Sequence, residues 1–224
     1  LEPPLTVCQS IAPYIRHAVV ALRQSKRSNR VTPEMLRSML AFVAGLPKLQ
    51  WLTMLGVKRY DVPRYSFSTY AINMIRGSTT LKTLHIYNQW FTSLSQLRHL
   101  LQSLPFLEAL HLERIQWPDE YQPSEPRSNH NEPPALQALQ ELQLGMFNFE
   151  AHTALLLDWM ASQPTMSQLR SFTLDCPIVL DQYCDTLRRF LDIHGRRLHH
   201  LCIPPPRPSA GQSGEHSGVY TCTH

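Results

Sequence analysis

The feature that most constrains this chain is a short apolar pattern, L-x-x-L-x-L, that returns in one register along almost its whole length. Its clearest copy lies in Leu104-Pro-Phe-Leu-Glu-Ala-Leu-His-Leu112. With Leu107 as the anchor of that copy, equivalent anchors stand at Ile15, Leu49, Leu81, Leu139, Leu169 and Leu198. The third residue after each anchor, in chain order, is Ala18, Leu52, Leu84, Leu110, Leu142, Phe172 or Leu201. The fifth is Val20, Met54, Ile86, Leu112, Leu144, Leu174 or Ile203. Successive anchors are 34, 32, 26, 32, 30 and 29 residues apart. That range belongs to stacked repeats, in which a unit too small to bury its own apolar side chains must bury them against its neighbours.

Within each triplet the apolar positions alternate with others, the period of a half-buried strand. Between triplets the period changes to that of a helix. Thr32-Pro33 supplies a cap and a first-turn proline, Leu36, Met39, Leu40 and Val43 share a face, and Gly45 is a terminator. Phe67, Tyr70, Ala71, Met74 and Ile75 form a second face, ending at Gly77. Ser93 with Gln96 reads as a capping box ahead of Leu94, Leu97, Leu101 and Leu104. Leu155, Leu156, Trp159 and Met160, and then Tyr183, Leu187, Phe190, Leu191 and His194, predict two more helices.

One unit departs from this alternation. Pro118 to Pro134 holds five prolines and almost no apolar residue, so residues 118–135 are expected to be a flexible, helix-free insertion. After Ile203 a proline-rich run stops the pattern, and residues 205–224 read as a disordered tail or a truncated repeat. The expected fold is therefore α/β: residues 1–204 form a curved solenoid of about seven short parallel strands on the concave face, with helices on the convex face.

Strand alternation then places the residues between the triplet members on the concave side. The second position after each anchor gives His17, Trp51, Thr83, Ala109, Glu141, Ser171 and His200; the fourth gives Val19, Thr53, His85, His111, Gln143, Thr173 and Cys202. The sixth includes Tyr87 and Glu113. His85 and His111 should be neighbours, and Trp51, His85, Tyr87, His111, Glu113, Glu141 and Gln143 form a mixed aromatic and polar patch of the kind a protein partner uses.

Other chemistry finds less support. His85 and His111 with Glu113 or Glu141 make a metal site conceivable, but one facing histidine pair falls short of a fixed ligand set, and no metal or cofactor is expected. His194, His199 and His200 are assigned to helix capping and exposure. There is no G-x-S-x-G, no G-x-G-x-x-G and no Walker sequence among eight glycines, so no catalytic residue is assigned and the chain is not expected to be an enzyme. The net charge of +4 is modest, and Glu113, Glu141 and Asp175 among the concave positions oppose a phosphate backbone there, which makes nucleic acid an improbable partner. The basic stretch Arg23 to Arg30 reads as a solvated loop. Five cysteines without a C-x-x-C read as reduced thiols, and no apolar run approaches the roughly 18 residues needed to span a bilayer, so a cytoplasmic or nuclear setting is expected.

The repeats resemble leucine-rich repeats of an irregular sort. The position eight residues after the anchor, an Asn or Cys in regular members, is Val57, Gln89, Ile115, Phe147, Pro177 or Pro206. The opening Ile11-Ala-Pro-Tyr-Ile-Arg-His17, the Leu-Pro-Lys-Leu-Gln-Trp-Leu52 and Leu-Pro-Phe-Leu-Glu-Ala-Leu110 turns, and the drifting spacing resemble the C-terminal region of fungal F-box proteins, from about Ile11 to Pro204. That resemblance implies a substrate-recognition module of a ubiquitin ligase, with an upstream F-box that docks on the ligase adaptor. The alternatives are a leucine-rich-repeat scaffold or adaptor outside the ligase system and, more remotely, an RNA-binding or enzymatic role.

Overall fold

The computed structural model describes residues 11–21, 33–56, 75, 78–118, 136–145, 150–163, 166–175, 181–203 and 220–223. Seven parallel strands lie side by side in chain order: β1 (His17–Ala21), β2 (Trp51–Leu55), β3 (Thr83–Tyr87), β4 (Ala109–Glu113), β5 (Glu141–Gly145), β6 (Ser171–Asp175) and β7 (His200–Ile203). An eighth, β8 (Tyr220–Thr223), pairs antiparallel with β7 and ends an open sheet. Four helices are described: α1 (Pro33–Ala44) before β2, α2 (Leu94–Gln102) before β4, α3 (Glu150–Ala161) before β6 and α4 (Asp181–His194) before β7. Among the described residues no helix is long and apolar enough to cross a membrane.

The strands begin two residues after each anchor, and the anchors themselves close the turn that feeds the strand. Leu49 N–H donates to the Leu46 carbonyl, and the same i to i+3 bond joins Leu107 to Leu104, Leu139 to Leu136 and Leu198 to Gly195. In Leu46-Pro-Lys-Leu49 and Leu104-Pro-Phe-Leu107 proline occupies the second turn position, where its fixed φ is favourable. Both leucines of each of these turns point into the core, so an L-P-x-L sequence encodes a turn and two core side chains together.

One residue past the anchor, the repeats share a further device. The Arg16 carbonyl accepts from the N–H groups of both Gln50 and Trp51, and the pattern recurs at Gln50, Lys82, Glu108, Gln140 and Arg170, each accepting from two consecutive amides of the next unit. These bonds satisfy backbone groups at the strand starts that would otherwise be left without partners. They also hold all seven parallel strands in one register.

The five central triplets are each 2% exposed or less, and they join helix residues such as Leu40, Val43, Leu97, Leu101, Leu156, Met160 and Phe190 in one continuous core. Burying one triplet favours the fold by about 5 to 9 kcal/mol before chain entropy, at about 1.5 to 3 kcal/mol per side chain. The terminal triplets are less covered: in the first only Val20 is buried, and Leu201 and Ile203 in the last are partly exposed.

Ser93 caps α2 as the sequence indicates, accepting from Gln96 N–H at 3.3 Å. The Gln96 amide oxygen, however, accepts from Thr92 N–H at 2.8 Å rather than from the cap residue, so the box closes one residue early. In α3 the buried face differs from the expected one: Leu155 is 46% exposed, while His152, Thr153 and Leu157 turn inward beside Leu156, Trp159 and Met160. A helix apolar on several sides leaves its rotation to be set by what it packs against. Met39 in α1 is likewise exposed where a core position was expected. Of the helix expected over Phe67 to Ile75 only Ile75 is described, and it is buried. The Arg23 to Arg30 loop, the 118–135 insertion after Pro118, and residues 205–219 and 224 of the tail lie outside the described residues.

Candidate interaction surface

Each strand turns its odd positions away from the core, and pairing aligns them in rows that cross the sheet. One row reads His17, Trp51, Thr83, Ala109, Glu141, Ser171 and His200, and the next Val19, Thr53, His85, His111, Gln143, Thr173 and Cys202. A third contains Leu55, Tyr87, Glu113, Gly145 and Asp175. All seven residues assigned to the patch from sequence thus lie on the outward face of β2 to β5. Trp51 and Glu141 are exposed and the other five are half-buried.

Side-chain contacts divide that face in two. On β1 and β2, Trp51 stacks on His17 with ring centroids 5.4 Å apart and planes at 27°. Its Nε1–H donates to Thr53 Oγ1 at 3.1 Å, which fixes the indole while 40% of the residue stays open. Val19 and Leu55 continue this half, making it largely apolar and aromatic.

The half on β3 to β5 is ionisable. His85 and His111 meet edge to face at 5.5 Å and 62°, and His111 Nε2 lies 3.1 Å from Glu141 Oε1 on the next strand. Burial holds His85 below the ordinary imidazole range, the neighbouring His111 pushes it in the same direction, and Glu113 opposes both. Tyr87 and Glu113 are joined by Arg114, whose guanidinium sits 5.4 Å from the Tyr87 ring centre and 3.9 Å from Glu113. Gln143 stands beside His111 in its row.

Sequence reasoning missed two participants. His17 was assigned to the same row as Trp51 but not to the patch, although stacking was legible from their equivalent positions. Arg114 had no signal in the alternating register, because its φ of 54° turns the chain immediately after β4. Asn88 does the same after β3 with φ 53°. His194 also departs from its expected role: it is 4% exposed, packs on Phe190 at 4.9 Å, and is held below the ordinary imidazole range by burial. Its hydrogen bond with the Met160 backbone acts against that shift, and nearby Arg197 adds to it.

Among the described residues no hydroxyl or thiol hydrogen-bonds to His85 or His111, and no group of three or more His, Cys, Asp or Glu side chains is arranged to hold a metal ion. Neither Cys184 nor Cys202 forms a disulfide. Compared with known proteins, the chain matches no protein-family model and no curated protein.

Proposed function

We propose that this chain is a protein-recognition module built as a leucine-rich-repeat-like solenoid, and that its partner lies across the outward face of β2 to β5. The observation that carries the reading is the row register, which gathers Trp51, His85, Tyr87, His111, Glu113, Glu141 and Gln143 from four separate repeats onto one surface. Their chemistry supports a protein partner: a fixed, partly open indole and a phenol supply anchors at low entropic cost, while imidazole, carboxylate and amide groups supply directional hydrogen bonds. The mixture of charge signs favours protein over nucleic acid. Binding rather than catalysis is the proposed role, in a cytoplasmic or nuclear setting.

Within that role, selection of substrates for a ubiquitin ligase of the F-box type is the specific reading. It rests on the sequence resemblance, and a scaffold outside the ligase system shares every feature of the surface. The deciding experiment is affinity capture with the wild type and with Trp51→Ala and Tyr87→Ala, followed by identification of the retained proteins. Loss of a specific partner in both variants, with unchanged thermal melting, supports the surface. Co-capture of a ligase adaptor by the longest chain that carries this region separates the ligase reading from the scaffold.

A further inference from the structure

Among the described residues Lys82 pairs with Glu108 at 2.6 Å, Arg189 with Asp158 at 3.0 Å, and Arg114 approaches Glu113 and Tyr87, whereas Arg16, Lys48, Arg170, Arg188 and Arg196 have no such partner. Of these, Arg170 and Arg196 lie with further basic residues at the starts of β6 and β7. Arg170 and His199 occupy the same position in consecutive repeats, and the Arg170 carbonyl holds the two units together by accepting from His199 N–H and His200 N–H at 2.8 and 3.0 Å. Arg196 and Arg197 lie in the short 3-10 turn just before, and Arg197 Nη1 donates to the Ser167 carbonyl across the same junction at 3.3 Å. Three arginines and two histidines therefore lie at the adjacent starts of two neighbouring strands. Segments 166–171 and 195–200 contain no acidic residue.

Among the described residues the side chains of Arg170, Arg196, His199 and His200 make no hydrogen bond or ion pair, and Arg170, Arg196 and His199 are exposed. The closest acid in sequence, Asp192 on α4, forms no ion pair with any of them. Grouping like charges costs free energy, and basic side chains with no counter-ion among the described residues have their charge available for an anionic ligand.

We propose that this rim is a second contact surface, distinct from the outward face, that binds an acidic segment of a protein partner through carboxylates on Arg170, Arg196 and Arg197. Guanidinium forks match carboxylates in two-point hydrogen bonds, and Arg197 is already oriented by Ser167. Extent argues for a peptide rather than a nucleic acid. The equivalents of Arg170 are Gln140 on the β5 side and Glu108 beyond it, so the basic region ends within about 10 Å, at about 4.8 Å per strand. A phosphate backbone crossing the sheet would next meet Glu141 and Glu108.

The test is fluorescence anisotropy with the whole chain and a short labelled peptide of alternating Glu and Ser, at about 0.1 M salt where charges beyond about 10 Å are screened. Arg170→Glu combined with Arg196→Glu is expected to weaken binding at least about tenfold. Arg16→Glu combined with Lys48→Glu changes net charge equally at the opposite end of the sheet, and is expected to change binding less than about threefold. Thermal melts check both folds; if the first pair does not fold, Arg170→Gln with Arg196→Gln replaces it, with the same direction and a smaller loss. No binding of the peptide, equal losses in the two pairs, or tighter binding of a single-stranded oligonucleotide of matched charge would each overturn the proposal. Because Trp51 and Tyr87 are outside this rim, Trp51→Ala and Tyr87→Ala leave peptide binding unchanged, which keeps the result separate from the outward-face reading.

Discussion

The rings of His85 and His111 stand 5.5 Å apart at 62° because their Cα atoms are register partners in β3 and β4. Burial of His85 opposes its protonation, and the neighbouring His111 adds to that effect. The pair has one acid on either side, Glu113 and Glu141, of which Glu141 touches His111. Contacts between repeats therefore bring these ionisable groups together.

Stability should fall as the solution is acidified through the histidine range. His85 and His194 are both held below about 6.5, the value expected in the unfolded chain. Above that pH neither state binds the proton and the contribution is nil. As pH falls below it the unfolded chain binds protons that the fold excludes, so stability is lost until the lower folded-state values are passed. Urea denaturation at intervals between pH 7.5 and 5 checks this: the midpoint should drop below about pH 6.5, and the His194→Gln variant should show a shallower drop. A midpoint that does not move over that range would contradict it.

Partner binding on the outward face should weaken over the same interval if it depends on neutral imidazoles. Affinity measured at pH 7.5 and at about 5.5 is expected to fall for the wild type and to fall less for His85→Gln. A level profile would remove the histidine pair from recognition while leaving Trp51 and Tyr87 as anchors.

Leu110 is fully buried at the centre of the core. Leu110→Ala should destabilise the protein by about 2 to 5 kcal/mol, combining lost transfer energy with a cavity between flanking triplets. Thermal or chemical denaturation measures it, and an unchanged melting temperature would place Leu110 outside the core.

Gly56 follows β2 and Gly145 ends β5, and the two should differ in tolerance. A Cβ at Gly56 would lie 1.8 Å from the Asn88 carbonyl oxygen, which is backbone and cannot turn aside. At Gly145 the closest atom is Glu113 Cγ at 3.0 Å, part of a flexible side chain. Gly56→Ala should cost about 1 to 3 kcal/mol and Gly145→Ala clearly less. Equal melting temperatures for the two variants would rule this out.

Asn88→Gly should raise stability by about 0.5 to 1 kcal/mol. Its φ of 53° is left-handed, and its buried Nδ2 has no hydrogen-bond partner among the described residues. Glycine removes both costs at a position where its conformational freedom suits the turn. A lower denaturation midpoint in Asn88→Gly would show that the amide side chain stabilises the turn.

What the sequence by itself determined is the register. Six apolar triplets and a degenerate seventh at Ile15, Ala18 and Val20, all with period-two alternation, predict parallel strands that bury them together, so the strands, their order and the rows containing Trp51, His85, His111 and Glu141 were legible in the sequence. The capping of α2 by Ser93 and the turn at Leu104-Pro-Phe-Leu107 were legible too, because they depend on residues within four positions of one another. Only the tertiary structure decided the rest. Leu155 turned outward because rotation of a broadly apolar helix depends on its neighbours. Arg114 reached Tyr87 because a left-handed residue redirected the chain after β4. Arg170 and the turn holding Arg196 and Arg197 came to adjacent strand starts because lateral stacking of repeats makes neighbours of residues that are far apart in sequence. Local sequence fixes periodicity and turns, whereas packing across repeats fixes which exposed groups become neighbours.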